Sequence, residues 1–172
     1  MNAQEVIDKL KQKFGAQIKE VRFEERPCGV KRNKAQIVWL KVDRSAFKPL
    51  VQFLVPTTLH LAVVSGNDLG ESIELIYHFS VNYGEHLKEI SLNLCVELPK
   101  SDLKIESICD LIPGALITER EKEEMFGITI ENIPDKRRIF LPEDFPEGIY
   151  PWRKDETGIP DKMIVKLSER RK

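Results

Sequence analysis

Metal-binding and redox-active residues are scarce in this sequence. Only three cysteines and three histidines occur among its 172 residues. No two cysteines have the C-x-x-C spacing of a zinc ribbon or an iron–sulfur site, so local spacing predicts no metal centre. Cys95 and Cys109 lie in apolar surroundings, and we expect both to be small core residues. No local pattern supports a metal site built from the histidines, which are His60, His78 and His86.

Long apolar runs are also missing. A helix that crosses a bilayer needs about 20 mainly apolar residues. The longest apolar stretches here, 50–56 and 59–64, are far shorter and are separated by Thr57 and Thr58. The N-terminus is polar and acidic, unlike a secretory signal peptide. We therefore predict a cytoplasmic protein without a membrane span, which reaches a membrane only through a partner.

An excess of charge of one sign is absent too. The chain has 27 Lys and Arg residues against 28 Asp and Glu residues, so the net charge is −1. This balance provides no overall field to attract nucleic acid or an anionic membrane. The short basic groups at 31–34 and 170–172 are the only features of a nucleic-acid-binding module. We expect no nucleic-acid partner, and salt-sensitive retention on heparin would argue otherwise.

Motifs of the common enzyme classes do not occur. The chain has no P-loop, no G-x-S-x-G, no H-E-x-x-H and no G-x-G-x-x-G after a strand. A free enzyme could use the carboxylates of Glu119, Glu121, Glu123 and Glu124 as acid or base. Carboxylates on a short helix are more often solvated or ion-paired, so this class is a remote alternative.

Hydrophobic periodicity predicts an α+β domain. One helix begins after Asn2 and ends at Gly15, and a second ends near Val55 with Pro49 in its first turn. A hairpin signal lies at 66–70 between two strands. We predict a largely antiparallel sheet of four to five strands packed by two to three helices. The predicted strands are 19–25, 36–42, 59–65, 72–80 and 88–98.

The C-terminal quarter has a different composition. Five of the ten prolines lie beyond Phe126, and proline removes backbone donors and fixes φ. We therefore predict an α+β domain over 1–126 and an extended arm over 127–172, in which only 162–167 resembles a strand. The arm is rich in Arg, Trp, Tyr and Phe, as interface cores are. From composition alone it either lies along a partner or folds back on its own domain.

A short helix is predicted just before the arm. Thr118 and Glu121 have the spacing of a capping box, and Gly127 supplies the end. Arg120 and Glu124 are four residues apart and could form an ion pair. Met125 and Phe126 close the helix, where they can enter a core or a partner's groove.

This region carries a family resemblance that extends over about residues 117–155. It resembles the signature of the 30-kDa subunit family of respiratory complex I, and the lead-in at 113–115 is similar to members from energy-converting, membrane-bound hydrogenases. This chain departs from the respiratory members at four positions. It has Glu124 where they usually have Asp, Ile133 where they have His, Phe145 where they often have Trp, and Trp152 where they have Leu. The matching residues are Glu119-Arg120-Glu121-x-x-Glu124-Met125-Phe126-Gly127-Ile128, Pro134, Arg137-Arg138-Ile139, Leu141-Pro142-Glu143-Asp144-Phe145 and Arg153-Lys154-Asp155.

The resemblance implies a non-catalytic, cofactor-free docking subunit on the cytoplasmic side of a membrane-bound, ion-translocating hydrogenase. Its expected partners are a large hydrogenase-like subunit with the nickel–iron centre, a small iron–sulfur subunit and integral membrane antiporter-like subunits. The equivalent subunit of an NADH/quinone- or sulfur-reducing relative is the alternative. By position in the signature and arm, the residues expected at the partner contact are Glu119, Arg120, Glu121, Glu124, Phe126, Arg137, Arg138, Glu143, Asp144, Trp152, Arg153, Lys154 and Asp155.

Overall fold

The computed structural model describes residues 2–30 and 33–164. Five strands form one sheet in the order β1-β2-β5-β4-β3, and two short strands form a second sheet. Neighbouring strands of the large sheet are antiparallel except β2 and β5, which are parallel. The predicted α+β class with a largely antiparallel sheet is therefore confirmed. The elements are α1 (Ala3–Phe14), β1 (Ile18–Cys28), β2 (Asn33–Val42), α2 (Arg44–Leu54), β3 (His60–Asp68), β4 (Ser72–Val81), β5 (Ile90–Pro99), β6 (Lys104–Glu106), α3 (Ala115–Phe126) and β7 (Thr129–Glu131).

The first helix forms as its sequence predicts. The Asn2 side chain accepts a hydrogen bond from the Glu5 backbone N–H at 2.9 Å, and the Glu5 carboxylate accepts from the Asn2 backbone, completing a capping box. Its apolar stripe is buried in the core and consists of Ala3, Val6, Ile7, Leu10 and Phe14.

The second helix begins earlier than predicted. It starts at Arg44, so Pro49 lies in the helix interior and not in the first turn. An interior proline costs about 3 kcal/mol. Burial of each large apolar side chain stabilises the fold by about 1.5–3 kcal/mol, which explains why the helix continues through the proline. The buried residues are Ala46, Phe47, Leu50, Val51 and Leu54.

One face of the large sheet packs against the helices. On β4 the residues alternate, and Ile73, Leu75, Tyr77, Phe79 and Val81 lie in the core. The other face carries a hydrogen-bonded group of polar and aromatic residues, in which His78 bonds Ser65 at 2.8 Å and Asn93 at 2.6 Å. Cys95 on that face is buried, as is Cys109 elsewhere, so the expectation for both is confirmed.

The third helix departs from its predicted start and cap. It begins at Ala115, and the Thr118 hydroxyl donates to the Ala115 carbonyl at 3.2 Å, so the predicted capping box with Glu121 is wrong. The turn through Pro113 and Gly114 starts the helix instead. Gly127 ends it as predicted, with φ 67° and its N–H bonded to the Glu123 carbonyl.

Beyond α3 the chain first returns to the core. Ile128, Ile130 and Ile133 are buried, and β7 pairs with β6 in parallel. From 134 to 164 the chain runs through turns and bends, with one 3-10 helix at Asp161–Met163. The predicted strand at 162–167 is wrong for 162–164, and its remaining residues lie outside the described ones. No helix in the described ranges is long and apolar enough to cross a membrane.

Candidate partner interface

Glu119 is a core residue. Its carboxylate accepts hydrogen bonds from the Ser107 hydroxyl at 2.6 Å, the Ile108 backbone N–H at 3.1 Å and the Cys109 thiol at 3.2 Å. The Tyr77 hydroxyl lies 3.5 Å away, and Glu119 has no exposed surface. Burial raises the pKa of Glu119, although the surrounding donors oppose that shift. The expectation that this carboxylate is solvated or ion-paired is therefore wrong, and no partner or substrate can reach it in this fold.

Arg120 fixes the beginning of the arm to α3. Its guanidinium donates to the Asp135 carboxylate at 3.0 Å and to the Arg137 carbonyl at 2.9 Å. Arg137 also bonds Asp135, and these bonds hold the pKa of Asp135 well below its usual range. The predicted Arg120–Glu124 pair does not form, because both side chains bind the arm instead.

Glu124 holds the next part of the arm. Its carboxylate accepts three consecutive backbone N–H groups, from Ile139 at 2.6 Å, Phe140 at 3.0 Å and Leu141 at 2.8 Å. Charge-assisted bonds of this kind are roughly twice as strong as neutral ones. The backbone of 139–141 is thereby fixed.

Arg138 closes the turn that follows. Its guanidinium donates to the carbonyls of Pro142 at 3.2 Å and Phe145 at 2.9 Å. Arg138 therefore shapes the arm from within, while Glu143 and Asp144 are exposed on this turn.

The end of the signature is bound to the domain. The Arg153 guanidinium donates to the Phe126 carbonyl at 2.7 Å and to the Asp155 carboxylate at 3.2 Å. The Lys154 backbone N–H donates to Asp68 at 2.8 Å, and Lys100 bridges Asp68 and Asp155. Burial of Asp68 opposes the shift, but the backbone N–H groups of Lys154 and Gly70, with the Lys100 ammonium, lower its pKa. The Lys100 ammonium and the Thr157 hydroxyl hold the pKa of Asp155 well below its usual range.

Two aromatic residues of the arm, Tyr150 and Trp152, pack against the C-terminal end of α3. The Trp152 ring packs edge-on against Phe126 at 5.5 Å between centroids, and the Lys122 ammonium lies 4.5 Å from the Trp152 ring centroid. The Tyr150 ring covers Gly127 so closely that a Cβ there would lie 2.4 Å from it. Only glycine fits under this ring.

An open cleft of about 440 Å³ separates α3 from the arm. Its lining includes Arg120, Glu123, Lys136, Arg137 and Tyr150. The Glu123 carboxylate accepts the Ile130 N–H at 2.9 Å, and burial raises its pKa. Across the described part of the chain no three His, Cys, Asp or Glu residues come together as a metal site.

The predicted interface residues thus fall into two groups. Glu119, Arg120 and Phe126 are buried, and Glu121, Glu124, Arg153 and Asp155 are partly buried. The exposed ones are Arg137, whose side chain is 86% accessible, with Arg138, Glu143, Asp144, Trp152 and Lys154. That this second group contacts a partner stays a prediction.

Apart from Trp152, the exposed apolar residues on the arm were missed as contact residues from the sequence. Six of the fourteen large hydrophobic residues exposed in the described chain lie between 139 and 164. The sequence feature that could have identified them is the recurrence of apolar residues in a proline-rich segment, which has no core of its own to bury them. They are Ile139, Phe140, Trp152, Ile159, Met163 and Ile164.

Residues 40–161 match the model of the family described as the respiratory-chain NADH dehydrogenase, 30 Kd subunit. The chain belongs to this family. The resemblance drawn from the signature is confirmed, as is its likeness to the hydrogenase version within the 30-kDa subunit family. The membrane-bound hydrogenase subunit beta of Pyrococcus furiosus is 38% identical over 151 residues, which cover 86% of each chain. A subunit of the F(420)H(2) dehydrogenase of Methanosarcina mazei is 30% identical over 97% of this chain and 99% of its own.

Two solved structures share the fold of this 30-kDa subunit family member. A chain of the membrane-bound sulfane sulfur reductase, an archaeal respiratory membrane complex, has a TM-score of 0.68 at 16% identity and covers 88% of this chain and 83% of its own. The trypsin-resistant fragment of Nqo5 has a TM-score of 0.58 at 21% identity, over 78% of this chain and 99% of its own.

Proposed function

We propose that this chain is a non-catalytic docking subunit of a membrane-bound, ion-translocating hydrogenase, and that its arm binds the large, nickel–iron subunit on the cytoplasmic side. The observation that carries the proposal is the arrangement of the arm. Several of its charged signature residues, such as Arg120, Glu124 and Arg153, bond the arm to its own domain, whereas apolar residues such as Ile139 and Phe140 stay exposed. An ordered, apolar strip is suited to docking because little entropy is lost when it binds.

The pair Ile139 and Phe140 forms the centre of this surface. They are 41% and 46% exposed, and the Glu124 carboxylate fixes their backbone. Large apolar side chains held on a rigid backbone are typical anchors of interfaces. Cofactors belong to the partners in this proposal: the nickel–iron centre in the large subunit and iron–sulfur clusters in it and in the small subunit.

Affinity purification of the tagged chain from its own membranes, in mild detergent, tests the proposal. We expect the large subunit, the small iron–sulfur subunit and antiporter-like membrane subunits to co-purify. The double variant Ile139→Ser/Phe140→Ser should lower recovery of the large subunit at least about tenfold, since each buried anchor contributes about 2 kcal/mol or more. Recovery of the wild-type chain alone would contradict the proposal.

A matched control uses a distant apolar pair. Tyr83 and Leu87 are exposed in the loop between β4 and β5. The double variant Tyr83→Ser/Leu87→Ser should leave recovery unchanged. An equal loss in both variants would show that exposed apolar surface in general, and not the arm, governs recovery.

The equivalent subunit of a quinone-, F420- or sulfur-linked relative is the second candidate. It is favoured by the match over nearly the whole chain to the F(420)H(2) dehydrogenase subunit and by the fold shared with the sulfane sulfur reductase. The co-purified large subunit decides between the two. Nickel-binding cysteines in it support the hydrogenase, and their absence supports the relative.

A further inference from the structure

The two edges of the large sheet differ in chemistry. Strand β1 forms one edge and β3 the other. Six of the eleven residues of β1 are Lys, Arg or Glu, and Pro27 adds a residue without an N–H. In β3 no charged residue occurs between Leu61 and Asn67. Charges and prolines on an edge strand prevent another strand from pairing with it, so β1 is protected and β3 is not.

Phe126 of α3 packs over Gly66 on one face of β3, and the hydrogen-bonding edge of the strand lies beside this contact. Among the described residues, none outside β4 makes a hydrogen bond to the backbone of 62–66. A hollow of about 480 Å³ runs beside this part of the strand, and Val63, Gly66, Glu121, Lys122 and Trp152 contribute to its lining. Val63 is 43% exposed and Trp152 is 42% exposed.

The hollow favours an uncharged occupant. The Lys122 ammonium contacts the Glu121 carboxylate and the Trp152 ring, so its charge is already compensated. What stays available is the apolar surface of Val63 and Trp152 and the free backbone groups of the strand. An extended, uncharged segment with apolar side chains fits this edge, because its backbone can pair with β3 while its alternating side chains contact Val63 on one face of the sheet and Trp152 on the other.

We propose that β3 is a docking edge, to which an extended, uncharged segment of the large partner subunit adds as a sixth strand. This inference rests on the proposed function. The same partner is implicated because Trp152 belongs both to the hollow and to the arm, so the two surfaces are continuous.

A second copy of this chain is a poorer occupant. The pairing of β3 with β4 shifts register between Leu61 and Val63. An irregularity of this kind bends the strand at one end of the free edge. At the other end the Lys154 ammonium donates to the Asp68 carbonyl at 3.0 Å. The free stretch is therefore about four residues long, and a pair of such stretches buries much less than the roughly 800 Å² per partner of a stable interface.

Hydrogen–deuterium exchange on the free chain and on the purified complex tests the proposal. We expect the amides of 63–66 that do not bond β4 to exchange at least about tenfold more slowly in the complex. Protection of the arm without protection of 63–66 would overturn the edge proposal and leave the proposed function intact. A second copy of this chain would be the occupant if the amides of 63–66 were protected in the free chain and this protection rose with protein concentration. A dimer detected by sedimentation over the same concentrations, together with that protection, would overturn the choice of partner.

A charged substitution gives an independent readout. Val63→Lys should lower recovery of the large subunit at least about fivefold, because a charge on an edge strand opposes pairing. Val55→Lys is the matched control, since Val55 is also a valine and is 38% exposed, but it lies in the 3-10 helix after α2. Thermal unfolding of both purified variants checks that the domain is intact. Equal recovery with both variants, alongside normal recovery with the wild type, would overturn the edge proposal alone.

Discussion

The Glu124 carboxylate offers the most direct test of how the arm is held. Three consecutive N–H groups bond it, at 2.6, 3.0 and 2.8 Å. The substitution Glu124→Gln keeps the size of the side chain, removes its charge and places an NH2 group against at least one donor. Bonds to a charged acceptor are worth about 1.5–3 kcal/mol each. Hydrogen bonds to water replace part of the lost interaction. We therefore expect the free energy of local opening of 139–141 to fall by about 2–4 kcal/mol.

That change corresponds to exchange of the Ile139, Phe140 and Leu141 amides that is about 30- to 700-fold faster. The assay is amide hydrogen exchange on the isolated chain, read at these residues and at the Leu75 and Tyr77 amides of the core. Glu143→Gln is the control, because Glu143 is exposed on the same arm and its carboxylate bonds no other described residue. Unchanged exchange at 139–141 in Glu124→Gln would refute the claim that this carboxylate orders the arm.

Further predictions concern the same segment and the core. Arg153→Glu should detach the arm and speed chymotryptic cleavage within 140–152 at least about tenfold, whereas Arg137→Glu should leave cleavage of the isolated chain nearly unchanged and weaken docking alone; equal cleavage would contradict this division. Because burial raises the pKa of Glu119, its contribution to stability is present below about pH 4.5 and is lost as pH rises through the raised pKa. Denaturant titrations between pH 4 and 8 should therefore show a fall in wild-type stability that Glu119→Gln lacks, and parallel curves would contradict it. Gly127→Ala should cost about 2 kcal/mol or more, from the positive φ and the Tyr150 ring, and a melting temperature equal to the wild type would contradict that.

Hydrophobic periodicity and helix capping, which depend on short stretches of sequence, were sufficient to predict the sheet and α1. The strand predicted at 72–80 and the side-chain capping of Asn2 depend on near neighbours in sequence, and both appear in the structure as predicted. The start of α3 was missed because a turn without a side-chain cap begins it. The interior position of Pro49 was missed because burial of the helix outweighs a local penalty.

The candidate site was harder to predict because its bonds join distant parts of the chain. Periodicity does not reveal that Glu119 bonds Ser107 and Cys109, or that Lys154 bonds Asp68, 86 residues away. The charged signature therefore looked like a contact surface, although most of its bonds are internal. Composition did predict an arm with interface character, and the structure adds which of its side chains are free to make contact.

The parallel pairing of β2 with β5 sets an order for folding. Residues 36–42 pair with 90–96, whereas the β1–β2, β3–β4 and β4–β5 pairs are each neighbours in sequence. Contacts between distant segments form slowly, because the chain between them must first be closed into a loop. During synthesis the N-terminal hairpin must therefore wait for β5 before the sheet is complete. The arm leaves the ribosome after the sheet and α3, and its anchor points at Asp68, Lys100 and Phe126 exist only once these elements have formed. Under the proposed function, assembly through the arm is thus restricted to chains whose domain has already folded.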